Sequence, residues 1–228
     1  MVRGDGDKVH MKYAIDARRL DQGILPAPVV CFDSATAIGF LKETLWVILG
    51  YDDANICYPM GTAFSLKGTG IVSARHVFDD LDGFCKLTLM RASPPYDEFK
   101  IDSYTRIPNV DITVVGSLAS SHASLKIADG KCASGDSVVL VGFPNWHSLG
   151  DEPAQLDTNI NQMKAVSGST YAAVNLTVLS GASGGSVLNS NGEVIGVIAN
   201  SKDHNVMPNA FITIQSLDAA KSAPIVAL

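Results

Sequence analysis

SGASGGSV, residues 180–187, sets Ser183 between Gly181 and the pair Gly184–Gly185. A nucleophilic serine asks two things of its loop: a hydroxyl that projects into a cleft, and backbone N–H groups that converge where negative charge develops. Glycines permit the unusual backbone path and the close approach of a carbonyl. The N–H groups of Gly181 and Ser183 are the candidate donors. The competing reading is a plain glycine turn, so the rest of the chain has to decide. Immediately downstream, Ser186–Leu188 and Glu193–Ala199 are short apolar runs separated by turn residues, the pattern of short strands.

The same pattern extends in both directions. Thr44–Leu49 (TLWVIL) predicts a strand ending at Gly50. Gly61–Leu66 and Gly70–Ser73 flank a hairpin turn at Lys67–Thr69. Lys86–Arg91, Asp111–Val115, Ser137–Val141, Met163–Ser167, Tyr171–Val178 and Ala210–Ile214 complete the strand set, with 144–158 read as a long polar loop. A short helix is expected over Ser34–Glu43, with Ser34 as its N-cap. Many short strands between turns, without β-α alternation, predict an all-β sandwich or barrel.

Composition supports a packed globular chain. Of 228 residues, 46% are hydrophobic and 18% charged, enough to bury a core. The formal net charge of −6, with no dense cationic patch, argues against nucleic acid as a partner. No apolar stretch is long enough to cross a membrane. The four cysteines form no C-x-x-C, and no His/Cys/Asp cluster has ligand spacing, so neither metal nor cofactor is expected. Met1–Lys12 lacks the apolar segment of a secretory signal, which predicts a cytoplasmic protein with free thiols.

A serine needs a base, and the base needs a carboxylate to hold its tautomer. Of five histidines, His76 has the best context: it follows a predicted strand within GTGIVSARHVF, residues 68–78. His10 lies in the N-terminal tail, and His122, His147 and His204 lie in polar loops. Asp111 opens the apolar run DITVV, where an unpaired carboxylate would be costly to bury. Asp97, Asp102 and Asp136 are its rivals.

Taken together, these segments resemble the trypsin/chymotrypsin superfamily, in particular its disulfide-free HtrA-like and related bacterial or viral branches. The resemblance rests on Gly61–Phe64 (GTAF), Ile71–Val77 (IVSARHV), Asp111–Val115, Val141–Pro144 (VGFP), Ser180–Val197 and Asn209–Ile214 (NAFITI). The order His, Asp, Ser matches that superfamily and not the subtilisin-like or α/β-hydrolase orders. The resemblance implies two packed six-stranded antiparallel β-barrels, with a catalytic triad of His76, Asp111 and Ser183 in the cleft between them and an oxyanion hole at Gly181 and Ser183. The first barrel would span about residues 44–116 and the second about 135–216. A 1–43 extension of uncertain fold would precede them and a 217–228 tail follow. The implied activity is endopeptidase, with a polypeptide substrate. The rival is a catalytically silent protease-fold module that binds peptides or partner proteins.

The departures from the family pattern are informative. Arg75 stands before His76, where alanine is commoner. Ala182 precedes Ser183, where secreted relatives carry the aspartate that captures a new N-terminal amine. No such switch is available, which leaves a preformed site or one in which an activating partner or oligomer orders the loops around Gly181 and 144–158. By resemblance Thr177, Val178, Ala199 and Asn200 flank the substrate pocket. None is acidic, which disfavours Lys or Arg before the scissile bond.

Overall fold

The computed structural model describes residues 35–79, 81–106, 110–115, 123–199, 209–218 and 223–228. The first element is a helix, α1 (Ala35–Thr44), one residue downstream of the expected span; the proposed cap, Ser34, lies outside the described residues. Leu41 is fully buried, and the Thr44 hydroxyl closes the last turn by donating to Leu41 C=O at 2.8 Å.

Seven strands follow in the N-terminal half: β1 (Leu45–Tyr51), β2 (Cys57–Leu66), β3 (Gly70–Ser73), β4 (Lys86–Arg91), β5 (Glu98–Lys100), β6 (Ser103–Thr105) and β7 (Thr113–Val114). Six of them form one antiparallel sheet in the order β5-β4-β1-β2-β3-β7. The central strand is the apolar run read from sequence. Leu45 to Leu49 are all buried, on both faces, because α1 packs against β1 and β2 as well. Trp46 satisfies its buried indole N–H on Ser65 Oγ at 2.9 Å.

Two closed barrels were expected, and here the structure differs. The N-terminal sheet has six strands but stays open, a curled half-barrel. Closure would need its edges to meet. Those edges, β5 and β7, are only three and two residues long. The strand between them in sequence, β6, pairs instead with β14 (Ile225–Ala227) from the C-terminus. The run from Asp111 to Val115 therefore contributes only Thr113 and Val114 to the sheet.

The C-terminal half is closed. Here β8 (Ser137–Gly142), β9 (Ala154–Val166), β10 (Ser169–Val174), β11 (Ser186–Leu188), β12 (Val194–Ile198) and β13 (Ala210–Thr213) pair in the cycle β10-β13-β12-β11-β8-β9. Strand alternation divides the apolar side chains between two cores. Val138, Leu140, Ala172, Val187 and Phe211 pack in one cluster. Their neighbours Val139, Val141, Tyr171, Leu188 and Ile212 join a second, which also holds the core of the N-terminal half. The two halves thus share one continuous apolar body.

The loop expected over 144–158 is shorter than read. Its last residues already belong to β9, whose thirteen positions mix polar and apolar residues and are mostly part-buried or exposed, so period-two hydrophobicity gave no signal there. Ser167 and Gly168, at φ of 50° and 85°, make the tight two-residue turn from β9 into β10. Cys57, Cys85 and Cys132 are free thiols; Cys31 lies outside the described residues.

Candidate active site

The chain leaves β3 into a single 3-10 turn, Arg75–Phe78. Two buried residues, Val77 and Phe78, anchor that turn, and the Phe78 ring stacks on Tyr104 at 4.8 Å. His76 is thereby left half-buried at its mouth. Asp111 grips it twice: the His76 backbone N–H donates to Asp111 Oδ1 at 2.9 Å, and ring Nδ1 lies 2.8 Å from Oδ2. A carboxylate only accepts, so this contact places the ring proton on Nδ1 and leaves the Nε2 lone pair outward. Asp111 itself is 5% exposed.

Neighbours hold this pair in turn. Arg75 Nε donates to Val110 C=O at 3.2 Å, and its guanidinium pairs with Asp79. It thus ties the histidine turn to the residue beside Asp111. From the closed barrel, the Tyr171 phenol reaches the backbone N–H of Asp111; burial, and then the Asp111 charge, push it up to about 12. Nothing in the sequence pattern singled out Tyr171.

The Ser183 loop is built on backbone geometry. Gly181 and Gly184 adopt φ of 89° and 86°. A Cβ on Gly181 would stand 2.7 Å from Phe143 C=O, and one on Gly184 would collide with Thr62 C=O and Ser73 Oγ. Every carbonyl from Ser180 to Ser183 is tied down. Ser180 C=O accepts from Asn145 N–H (3.2 Å), Gly181 C=O from the Thr62 hydroxyl (2.8 Å), Ala182 C=O from Gly185 N–H (2.9 Å) and Ser183 C=O from Thr62 N–H (2.8 Å). In a trans peptide the N–H points opposite to the C=O, so these bonds also fix where the N–H groups aim. Among the described residues, those of Gly181 and Ser183 have no acceptor.

The serine loop and the histidine turn sit against each other. A Cβ on Gly61 would lie 3.0 Å from Ser183 C=O and 2.9 Å from Val77 Cγ2, so Gly61 separates the two by its own lack of a side chain. Ser183 is 9% exposed; among the described residues its hydroxyl donates no hydrogen bond, while the backbone N–H and ring of His76 bond to Asp111 and its C=O accepts from Asp79 N–H.

The four expected pocket residues are not gathered into one cavity. Thr177 is exposed, and Asn200 lies outside the described residues. Val178 lines a small apolar cavity of about 10 Å³ with Leu140, Leu179, Ala182 and Ile198, which Ala199 does not line. Ala199 packs instead with the shared core. Of the residues sequence reading passed over, Thr62 and Phe143 lay inside motifs it quoted, GTAF and VGFP. Their polar roles have no signal in residue type.

Among the described residues, no group of three or more His, Cys, Asp or Glu side chains could hold a metal ion, and no helix is long and apolar enough to cross a membrane.

Comparison with known proteins agrees with this fold. The family model for the trypsin-like peptidase domain matches residues 61–197, more than half of the chain, and the protein belongs to that family. Among curated proteins no significant sequence match is found. Among solved structures, the active form of the Rv3671c protease from M. tuberculosis superposes with a TM-score of 0.60 at 15% identity, covering 98% of this chain and 95% of that one. The HtrA-type protease AlgW with a decapeptide gives a TM-score of 0.60 at 14% identity, covering 79% of this chain and 64% of that one. The serine endoprotease from Yersinia pestis gives 0.58 at 16%, covering 82% and 65%. At these identities the superpositions speak for the fold. The resemblance read from sequence to the trypsin-like superfamily holds. Family membership supports a serine-protease-like hydrolytic mechanism in general terms.

Proposed function

We propose that the protein is a serine endopeptidase in which Ser183 attacks the scissile carbonyl, His76 acts as general base and Asp111 orients it. The observation that carries this reading is the double hold of Asp111 on His76, on a turn packed against the Ser183 loop. Nε2 is the free imidazole nitrogen, so it is the atom that takes the Ser183 proton as the Oγ–C bond forms. The same proton then goes to the leaving amine, and water releases the acyl-enzyme by the reverse sequence. The two unpaired N–H groups of Gly181 and Ser183 supply the oxyanion donors. Of the expected pocket residues, Val178 lines a cavity together with Ala182, the neighbour of Ser183, and an apolar wall there favours small or apolar side chains before the scissile bond.

The test is labelling with a fluorophosphonate probe, followed by mass spectrometry of the adduct. Label on Ser183, lost in Ser183→Ala together with hydrolysis of a fluorescent casein, is the expected result. A folded wild-type protein that takes no label and cleaves nothing would instead be a peptide-binding module. Activity retained by Ser183→Ala would displace the nucleophile.

A further inference from the structure

Thr62 is fully buried on β2 of the open half, yet its polar atoms point largely at the other half. Its N–H donates to Ser183 C=O at 2.8 Å. Its hydroxyl donates to Gly181 C=O at 2.8 Å and accepts from Phe143 N–H at 2.9 Å. Its C=O accepts from Ser73 Oγ at 2.8 Å. The hydroxyl therefore bridges two separate segments of the closed barrel, the end of β8 and the serine loop, beside the direct bond that joins them from Asn145 N–H to Ser180 C=O at 3.2 Å.

The link matters because of what Gly181 is. Glycine crosses between backbone states at little cost, and within the loop the Gly181–Ala182 peptide is held by one bond, from Ala182 N–H to Leu179 C=O at 3.2 Å. The Thr62 hydroxyl holds the other end of that peptide, Gly181 C=O, and the donation from Phe143 holds the hydroxyl in turn. Ser73, which meets Thr62 from β3, lies three residues before His76, and Ala63 pairs with it across the sheet. One residue thus sets the serine loop in register with the strand that delivers the base.

We infer that the Thr62 hydroxyl is a positioning group for the oxyanion loop: by bridging Phe143 N–H and Gly181 C=O it fixes the Gly181–Ala182 peptide, which joins the two peptides that carry the N–H groups of Gly181 and Ser183, and so keeps those groups aimed at the reacting carbonyl. This rests on the proposed roles of Ser183 and Gly181. Thr62 touches neither substrate nor reacting atoms. Its loss should appear in the rate of the chemical step and leave binding almost unchanged.

The experiment compares wild type, Thr62→Val and Thr62→Ser by the kinetics of fluorophosphonate labelling, with the limiting rate and the half-saturating concentration measured separately on folded protein. Thr62→Val, which keeps the shape and loses the hydroxyl, should lower the limiting rate about tenfold or more, in the direction of the ~10²-fold cost of losing an oxyanion donor outright. Half-saturation should stay within about twofold, and Thr62→Ser should recover most of the rate. A purely structural role would lower the thermal midpoint and the labelled fraction, with the rate per competent site unchanged. That result overturns the inference, as does a serine variant as slow as the valine one. If Thr62→Val does not fold, Thr62→Ala takes its place in the same comparison, with the same two outcomes. Wild type that takes no label at Ser183 brings down the underlying assignment and this inference with it. Wild type labelled at Ser183, alongside a valine variant of equal rate, brings down this inference alone.

Discussion

The two halves of the molecule bring their parts of the site into place by different means. In the open half, His76 is held by a side chain: one carboxylate, Asp111, takes both its backbone N–H and its ring. In the closed barrel, Ser183 is held almost wholly by main chain. Two glycines at positive φ shape the loop, and each carbonyl from Ser180 to Ser183 is bonded. Chemistry explains the division. A base has to keep one tautomer, and a charged neighbour does that best. A set of oxyanion donors needs fixed peptide planes, which a cooperative set of backbone bonds provides. The open half should therefore fail when a side chain changes charge, and the closed half when a glycine gains a methyl.

The strongest test of this contrast is Asp111→Asn. It keeps the shape but replaces an acceptor-only group with one that can donate to Nδ1, which favours the wrong tautomer. A fall in kcat of about 10⁴ is expected, as in comparable triads. A rate within tenfold of wild type would show that another group orients His76.

On the closed side, Gly184→Ala should lower the labelling rate at Ser183 by ~10²-fold or more, because its Cβ has nowhere to go between Thr62 C=O and Ser73 Oγ. Gly83→Ala is the control. Gly83 has a similar φ of 90° with nothing within 4 Å of the added carbon, so it should cost only about 1 kcal/mol of stability and leave labelling alone. Equal effects of the two changes would mean that φ, and not the close approach of the two halves, governs the loop.

The smallest expected effect lies where the halves meet, at Tyr171. Burial and the Asp111 charge raise this phenol to about 12 from an ordinary value of 10. A group raised on folding contributes stability that is complete below its unfolded value and is lost as pH climbs through the folded one. Between about pH 10 and 12 the unfolding midpoint should therefore fall less steeply in Tyr171→Phe than in wild type. Other tyrosines contribute equally to both proteins and cancel in the comparison. Parallel slopes would show that folding does not raise the Tyr171 phenol.

Much of the molecule was legible before its fold was known, and the reasons are local. The apolar run at Leu45–Leu49 and the strand pair after Ser183 carry their structure in their own residues, as unbroken buried runs. Ser183, His76 and Asp111 stood out because glycine framing, a strand end and a charge leading an apolar run are all features of neighbouring residues. β9 was partly missed because its mixed, largely part-buried positions give no clean alternation. β6 and β14 were missed because short strands from distant parts of the chain show pairing only once they meet.

The sequence by itself determined the all-β class, the order of the candidate residues and the absence of an acid at Ala182. Tertiary structure alone decided that the first sheet stays open, since its closure depends on which partner β6 finds across more than a hundred residues. It also decided that Thr62, a neutral residue in an apolar strand, stands with its hydroxyl between Phe143 and Gly181. A hydrogen bond across the junction of two halves depends on the approach of surfaces, and residue type along a chain carries no record of that approach.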